Sequence, residues 1–157
     1  MRRTRLFMIV ALLTLWPAIT AAQAPSPEER LGAAAAKWSA DKPTAYEFTL
    51  RLVCFCPVLA LSREPIVFRV EDGKPSFVSG ESVVAKAFGS PTGMDKYATV
   101  ERQFDFIRLE LAKRHYRMEV QYDQNLGFPT LIAIDPERNV ADDEITLRIE
   151  GFRVLVR

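Results

Sequence analysis

The sequence has few of the residues from which catalytic and cofactor sites are built. It has one histidine and two cysteines in 157 residues, and it lacks a glycine-rich phosphate loop and a nucleophile-elbow motif. Its 21 Lys and Arg nearly balance 20 Asp and Glu, so it lacks the positive field that binds a phosphate backbone. These shortages argue against a hydrolase, a resident cofactor or metal, and a nucleic-acid partner. The rest, 48% apolar and 26% charged, is typical of one globular domain.

No hydrophobic run is long enough to cross a membrane. Three arginines within the first five residues precede an apolar run of about 11 residues, whereas a spanning helix needs about 20. Ala22-Gln23-Ala24 then offers a cleavage site of the A-x-A type. We therefore predict a signal peptide over residues 1–24 and a single mature domain over residues 25–157. The mature domain is expected in the periplasm or outside the cell, without a stable membrane span.

Hydrophobic periodicity predicts two helices and about six strands. The first helix starts at a capping box, Ser26 to Glu29, and ends near residues 41–43, while the second covers residues 99–115. Residues 80–93 are predicted as loop, with a short helical turn at 83–88. The predicted strands cover residues 45–56, 66–70, 76–78, 118–123, 128–134 and 145–156.

The order of these elements predicts an α+β fold. Helix, three strands, helix, three strands, joined by hairpins rather than βα crossovers, favours an antiparallel sheet with both helices on one face. Asp72-Gly73 is a hairpin signal. The inward phase of the last strand slips by one residue at Gly151, which predicts a β-bulge.

Cys54-Phe55-Cys56-Pro57 is the motif that asks for a chemical explanation. The two cysteines of an exported protein should pair with each other or with another molecule. In a regular strand their α-carbons lie about 6.6 Å apart, so a bond between them requires a bend. Closing so small a ring contributes only about 1.6 kcal/mol. A tight disulfide at a kinked strand end, a redox-active dithiol, a soft-metal site and free or intermolecular thiols all remain open.

Two other features have simpler interpretations. His115 lies at the end of the second helix, where an imidazole can cap the last carbonyls or lie on the surface. The acidic stretch 135–144 offers oxygen ligands, but Val140 and Thr146 stand where a calcium loop has glycine and glutamate. A solvated turn is therefore favoured over a cation site.

Several motifs together resemble a known family. A tryptophan-bearing helix precedes a strand that ends in Cys54-Phe55-Cys56-Pro57, and Tyr122-Asp123 is followed by Gly127-Phe128-Pro129-Thr130. From Trp38 to about Phe152 the chain resembles the exported bacterial proteins grouped as domain of unknown function family 6174. The resemblance implies a small exported domain and supplies no catalytic residues.

We expect a non-enzymatic binding or inhibitory module that contacts a protein or small ligand of the cell envelope. Antiparallel sheets leave a face available for partners, and no complete catalytic set can be assembled from the sequence. The alternative is a thiol-disulfide or soft-metal-handling protein acting through Cys54 and Cys56. The candidate binding residues are Phe55, Pro57, Tyr122, Asp123, Gly127, Phe128 and Pro129.

Overall fold

A computed structural model describes residues 24–55, 59 and 62–156. Residues 1–23 of the predicted signal peptide, and Cys56 and Pro57 of the cysteine motif, lie outside these residues. The helices are α1 (Pro27–Asp41), α2 (Glu81–Phe88), a 3-10 helix (Pro91–Tyr97) and α3 (Val100–Leu111). The strands are β1 (Ala45–Val53), β2 (Ile66–Glu71), β3 (Lys74–Ser79), β4 (Arg117–Tyr122), β5 (Pro129–Asp135) and β6 (Ile145–Val154). In the described part of the chain, no helix has the length and apolar character to span a membrane.

The six strands form one antiparallel sheet in the order β3-β2-β1-β6-β5-β4. Among the described elements, the helices pack on one face of this sheet, and their buried side chains join those of the strands in one hydrophobic cluster. The predicted α+β fold is therefore confirmed. We call the opposite side of the sheet the open face.

Local sequence signals set the ends of α1 and of the first hairpin. Ser26 Oγ accepts from the Glu29 N–H at 3.1 Å, and the Glu29 carboxylate accepts from the Ser26 N–H at 2.7 Å, which is the predicted capping box. Asp72 and Gly73 have φ of 50° and 77°. Positive φ at both positions is typical of a type I′ turn, which joins β2 to β3 through two residues.

The region between β3 and β4 differs from the prediction. Residues 80–93 were predicted as loop with a helical turn at 83–88, but they form the whole of α2 and the start of the 3-10 helix. Gly80 and Gly89, with φ of 87° and 74°, bound α2 at its two ends, so glycines typical of loops here delimit a helix.

The second predicted helix is shorter than expected. It ends at Leu111 rather than His115, because Lys113 donates to the Glu110 carbonyl in a tight turn and Arg114 takes a φ of 57°. Leu109, an apolar residue of this helix, is 66% exposed. Only one side of α3 packs against the sheet, and Leu109 lies on the other side, so its side chain is exposed to solvent.

The predicted bulge at Gly151 is confirmed. Between the pairs Thr49–Glu150 and Glu47–Arg153, β6 contains one residue more than β1, and Gly151 has a φ of 59°. The extra residue changes the inward phase of β6, which places Phe152 in the helical layer against Trp38.

Four aromatic side chains form the centre of the core, and we call them the Trp38 cluster: Trp38, Tyr46, Phe128 and Phe152. The Phe128 and Phe152 rings stack with centroids 4.1 Å apart. Trp38 meets the other three rings edge-on at 5.3 to 6.5 Å. Edge-to-face and offset pairs at these distances are favourable beyond the area that they bury.

The turn between β4 and β5 lies directly against α1. Asp123 Oδ1 accepts from the N–H groups of Asn125 and Leu126 at 2.9 and 2.7 Å, which shapes the turn. Gly127 has a φ of 82°, and a Cβ added there would lie 2.4 Å from the Ala34 carbonyl oxygen. Only glycine permits both this backbone conformation and this approach to the helix.

We expect Gly127→Ala to be more destabilising than Gly73→Ala. Both positions have positive φ, which costs an alanine about 1–2 kcal/mol, but a Cβ at Gly73 meets nothing within 4 Å. The contact with Ala34 should add about 1–3 kcal/mol to the loss at Gly127. Urea unfolding of the two variants measures the difference, and equal losses would show that the turn does not depend on close contact with α1.

Candidate functional site at the Cys54 end of the sheet

The two predicted binding loops lie at opposite ends of the sheet. Strands β1 and β5 run in the same direction, since both are antiparallel to β6. Cys54 follows the end of β1, whereas residues 123–128 precede the start of β5. The structure therefore does not bring the two loops together. We call the end of the sheet at which β1 leads into Cys54 the Cys54 end.

The residues of the second loop all have packing or turn-forming roles. Phe128 and Pro129 are buried, Gly127 lies against α1, and Asp123 bonds the backbone of its own turn. Tyr122 is half-buried beside Phe104, and burial raises its pKa to about 12. Their role in binding stays a prediction, because nothing in the structure tests it.

The cysteine motif presents an apolar surface. Phe55 is 73% exposed and Val53 is 56% exposed, while Cys54 between them is half-buried. Cys54 is not a free thiol. Its pairing with Cys56 stays a prediction, because Cys56 and Pro57 lie outside the described residues.

Strand β1 extends beyond its neighbour β2 at this end. The last pair between them is Leu50–Ile66, but β1 continues for three more residues and remains paired to β6 as far as Val53–Thr146. A cavity of about 320 Å³ lies along this extension. It is lined by residues 49–54, Leu59, residues 62–66 and Val83.

The rim of the cavity carries more arginines than carboxylates. Arg51 and Arg63 line it, together with a single carboxylate, Glu64. The Glu64 carboxylate is already engaged, accepting from the Gly80 N–H at 2.8 Å and the Ser82 hydroxyl at 3.4 Å. These donors are neutral, so Glu64 keeps its charge, and the two arginines exceed the carboxylate that lines the rim by one charge.

Arg51 also lies beside a second arginine on the adjacent strand. Arg148 on β6 is its direct cross-strand neighbour, an arrangement in which like charges are unfavourable. Glu150 relieves part of this repulsion through a 3.3 Å ion pair with Arg51, but the side chains of Arg51 and Glu150 are both exposed. In the part of the chain that the structure describes, neither Arg63 nor Arg148 makes an ion pair.

A buried carboxylate organises the open face farther along β1. Glu47 is only 5% exposed, and it accepts from Arg69 at 3.0 and 3.3 Å and from Arg153. Burial alone would raise the pKa of Glu47, but the hydrogen bonds from the two arginines outweigh it and lower the pKa below its ordinary value. The alternation of side chains along β1 places Glu47 on the open face, but alternation alone does not reveal that two arginines cover it.

His115 pairs with a side chain rather than with helix carbonyls. Its Nε2 lies 2.7 Å from Glu110 Oε2, and both side chains are nearly buried. Burial raises the pKa of Glu110, but bonds from Lys113 and His115 outweigh it, and the net shift is downward. The pair joins the end of α3 to the segment leading into β4.

Three carboxylates could hold a cation. One oxygen each from Asp135, Asp143 and Glu144 lies within 4.8 Å of the others. Asp143 Oδ1 is buried and has no hydrogen-bond partner among the described residues. Acidic turns of this kind commonly bind nothing, and the departures from a calcium loop at Val140 and Thr146 remain.

Comparison with known proteins identifies the family of the chain. A small α+β domain with one open sheet face is the class that the structure defines. The model of a family of unknown function, DUF6174, matches residues 30–154. The chain therefore belongs to this family. No curated protein and no solved structure matches the chain.

We expect removal of the arginines beside Glu47 to cost more than removal of the carboxylate. The Arg69→Met/Arg153→Met variant leaves a buried charge unpaired, which costs about 3–5 kcal/mol. Glu47→Gln leaves two arginines whose side chains are 42% and 63% exposed, so water can solvate them, and it should cost about 1–3 kcal/mol. Chemical unfolding gives both values, and the reverse order would contradict the assignment.

The same carboxylate predicts a pH dependence. Because the pKa of Glu47 is lower in the folded state than the ordinary 4.5, its stabilising effect is complete above that value and is lost as pH falls through the folded pKa. Glu47→Gln should therefore lose less stability than the wild type between about pH 5 and 3. Parallel stability curves for the two proteins would show that Glu47 is not held ionised by the arginines.

Proposed function

We propose that this chain is a non-enzymatic binding module of the cell envelope that contacts its partner with the Cys54 end. The observation that carries this proposal is the exposure of Phe55 and Val53 beside the cavity at the extension of β1. Large apolar side chains exposed next to one another are typical of interaction sites. Aromatic residues at the centre of such surfaces often supply most of the binding energy.

The arrangement of charge supports binding over catalysis. The carboxylate at the cavity, Glu64, already bonds Gly80 and Ser82, and the other charged groups there are guanidiniums, which stay protonated. Guanidinium groups orient acidic ligands but do not act readily as general bases. The pair that could exchange protons, His115 and Glu110, is nearly buried at the end of α3.

Location in the envelope is part of the proposal. The predicted cleavage after Ala24 leaves Pro25 and then Ser26, the N-cap residue of α1. Removal of the leader therefore leaves the capping box intact. Export to an oxidising compartment also suits a cysteine that is not a free thiol.

We expect the protein isolated from its native envelope to begin at Pro25 and to contain a bond between Cys54 and Cys56. Its intact mass should be about 2 Da below that of the reduced form, because one disulfide removes two hydrogens. Cys54→Ser should abolish the difference. Full-length chain with Met1 in the soluble cytoplasmic fraction would contradict both export and oxidation.

We expect Phe55→Ser to reduce capture of the envelope partner at least about tenfold, as for loss of a central aromatic contact. The matched control is Leu109→Ser, which removes a similarly exposed apolar side chain from α3 in the helical layer. The measurement compares proteins cross-linked to each variant in native envelopes at equal expression. Equal losses for both variants, or none for Phe55→Ser, would contradict a binding site at the Cys54 end.

A further inference from the structure

We propose that the partner presents an extended acidic segment, which adds as a strand to β1 beyond its last pair with β2, in the cavity that Arg51 and Arg63 line. This inference rests on the proposed function, since it names the kind of partner that the Cys54 end binds. It combines three observations: backbone groups that no described residue occupies, an adjoining cavity with apolar side chains in its walls, and more arginines than carboxylates around it.

The backbone of β1 offers hydrogen bonds at this edge. Residues 51–53 lie beyond the last pair with β2 but remain paired to β6. Successive residues of a strand direct their N–H and C=O groups to opposite neighbours, so at least one of the three directs them away from β6. In the described part of the chain, no further backbone contact occupies these groups on that side. An added strand would satisfy them.

The cavity beside this edge suits side chains of an extended segment. At about 320 Å³ it lies near the lower limit of small-molecule sites, which span about 300–1,000 Å³. Leu52, Ile66 and Val83 contribute apolar side chains to its walls. Because alternate side chains of a strand point to opposite faces, every second residue of the segment would enter the cavity.

The remaining side chains of the segment would face Arg51 on the open face. Arg51 already has a like charge, Arg148, as its neighbour on β6. An acidic residue on the β2 side of Arg51 would offset this repulsion, since opposite charges on adjacent strands attract. Arg63 lies across the cavity and has no ion pair among the described residues. The existing Arg51–Glu150 pair is exposed, so it contributes little to stability and is readily exchanged.

The test uses three capped heptapeptides with the purified chain. The first alternates glutamate and valine, the second replaces glutamate with lysine, and the third is the acidic peptide N-methylated at every internal amide. We expect the acidic peptide to bind at least tenfold more tightly than the other two, measured by fluorescence anisotropy. Hydrogen exchange should also slow at one or more amides of residues 51–53 when the acidic peptide is bound.

Charge-reversal variants locate the contact. Arg51→Glu and Arg63→Glu should each weaken binding of the acidic peptide at least tenfold. The matched control is Arg117→Glu on edge strand β4, whose side chain is 73% exposed. It should leave the affinity unchanged, and an equal loss would mean that only net charge attracts the peptide.

Each other outcome overturns a stated part of the proposal. Equal binding of the N-methylated peptide would exclude strand addition, and equal binding of the lysine peptide would exclude the acidic preference. Binding of anionic phosphatidylglycerol vesicles that depends on Arg51, without peptide binding at 1 mM, would replace the segment by a lipid surface. If no probe binds while partner capture still depends on Phe55, the strand proposal fails and the binding function stands. If capture does not depend on Phe55 either, both fail.

Discussion

The arrangement of the helical layer on the sheet depends on Trp38. Its ring is 1% exposed and contacts aromatic side chains from β1, from β6 and from the turn before β5. Its Nε1 donates to Glu101 on α3 at 3.0 Å. One side chain therefore joins two helices to three parts of the sheet. The Gly151 bulge and the Gly127 turn place Phe152 and Phe128 within its reach.

Because the helices cover only one face of the sheet, charged side chains on the open face are compensated by their neighbours on adjacent strands. Glu47 lies near the middle of that face and is buried by the arginines of the two neighbouring strands, so its ionised form is stabilised without a helix above it. Farther along β1 the charges are no longer balanced. Arg51 and Arg148 face each other, and β2 has ended. Strand pairing and charge compensation thus decrease toward the Cys54 end, where the proposed binding site lies.

Local chemistry made much of this fold predictable, and non-local pairing limited the rest. The cap at Ser26, the Asp72-Gly73 turn and the bulge at Gly151 each follow from residues close in sequence. The burial of Glu47 does not, because it depends on the register of β1 with both β2 and β6. The cavity was missed for the same reason, although a signal existed. The predicted first strand was several residues longer than the second, and two antiparallel neighbours of unequal length leave one edge unpaired.

The motifs that carry the family resemblance have different physical roles. Tyr122, Asp123, Gly127 and Phe128 shape a turn and pack it against the helices, so they maintain the fold at one end of the sheet. Phe55 is the described member of the motifs whose side chain is largely exposed. Phe55 lies at the opposite end of the sheet from this turn. Its replacement should therefore leave the Trp38 cluster intact and affect binding with little effect on stability. The turn motifs therefore maintain the shape of the domain, while the proposed binding site lies around Phe55 and the extension of β1.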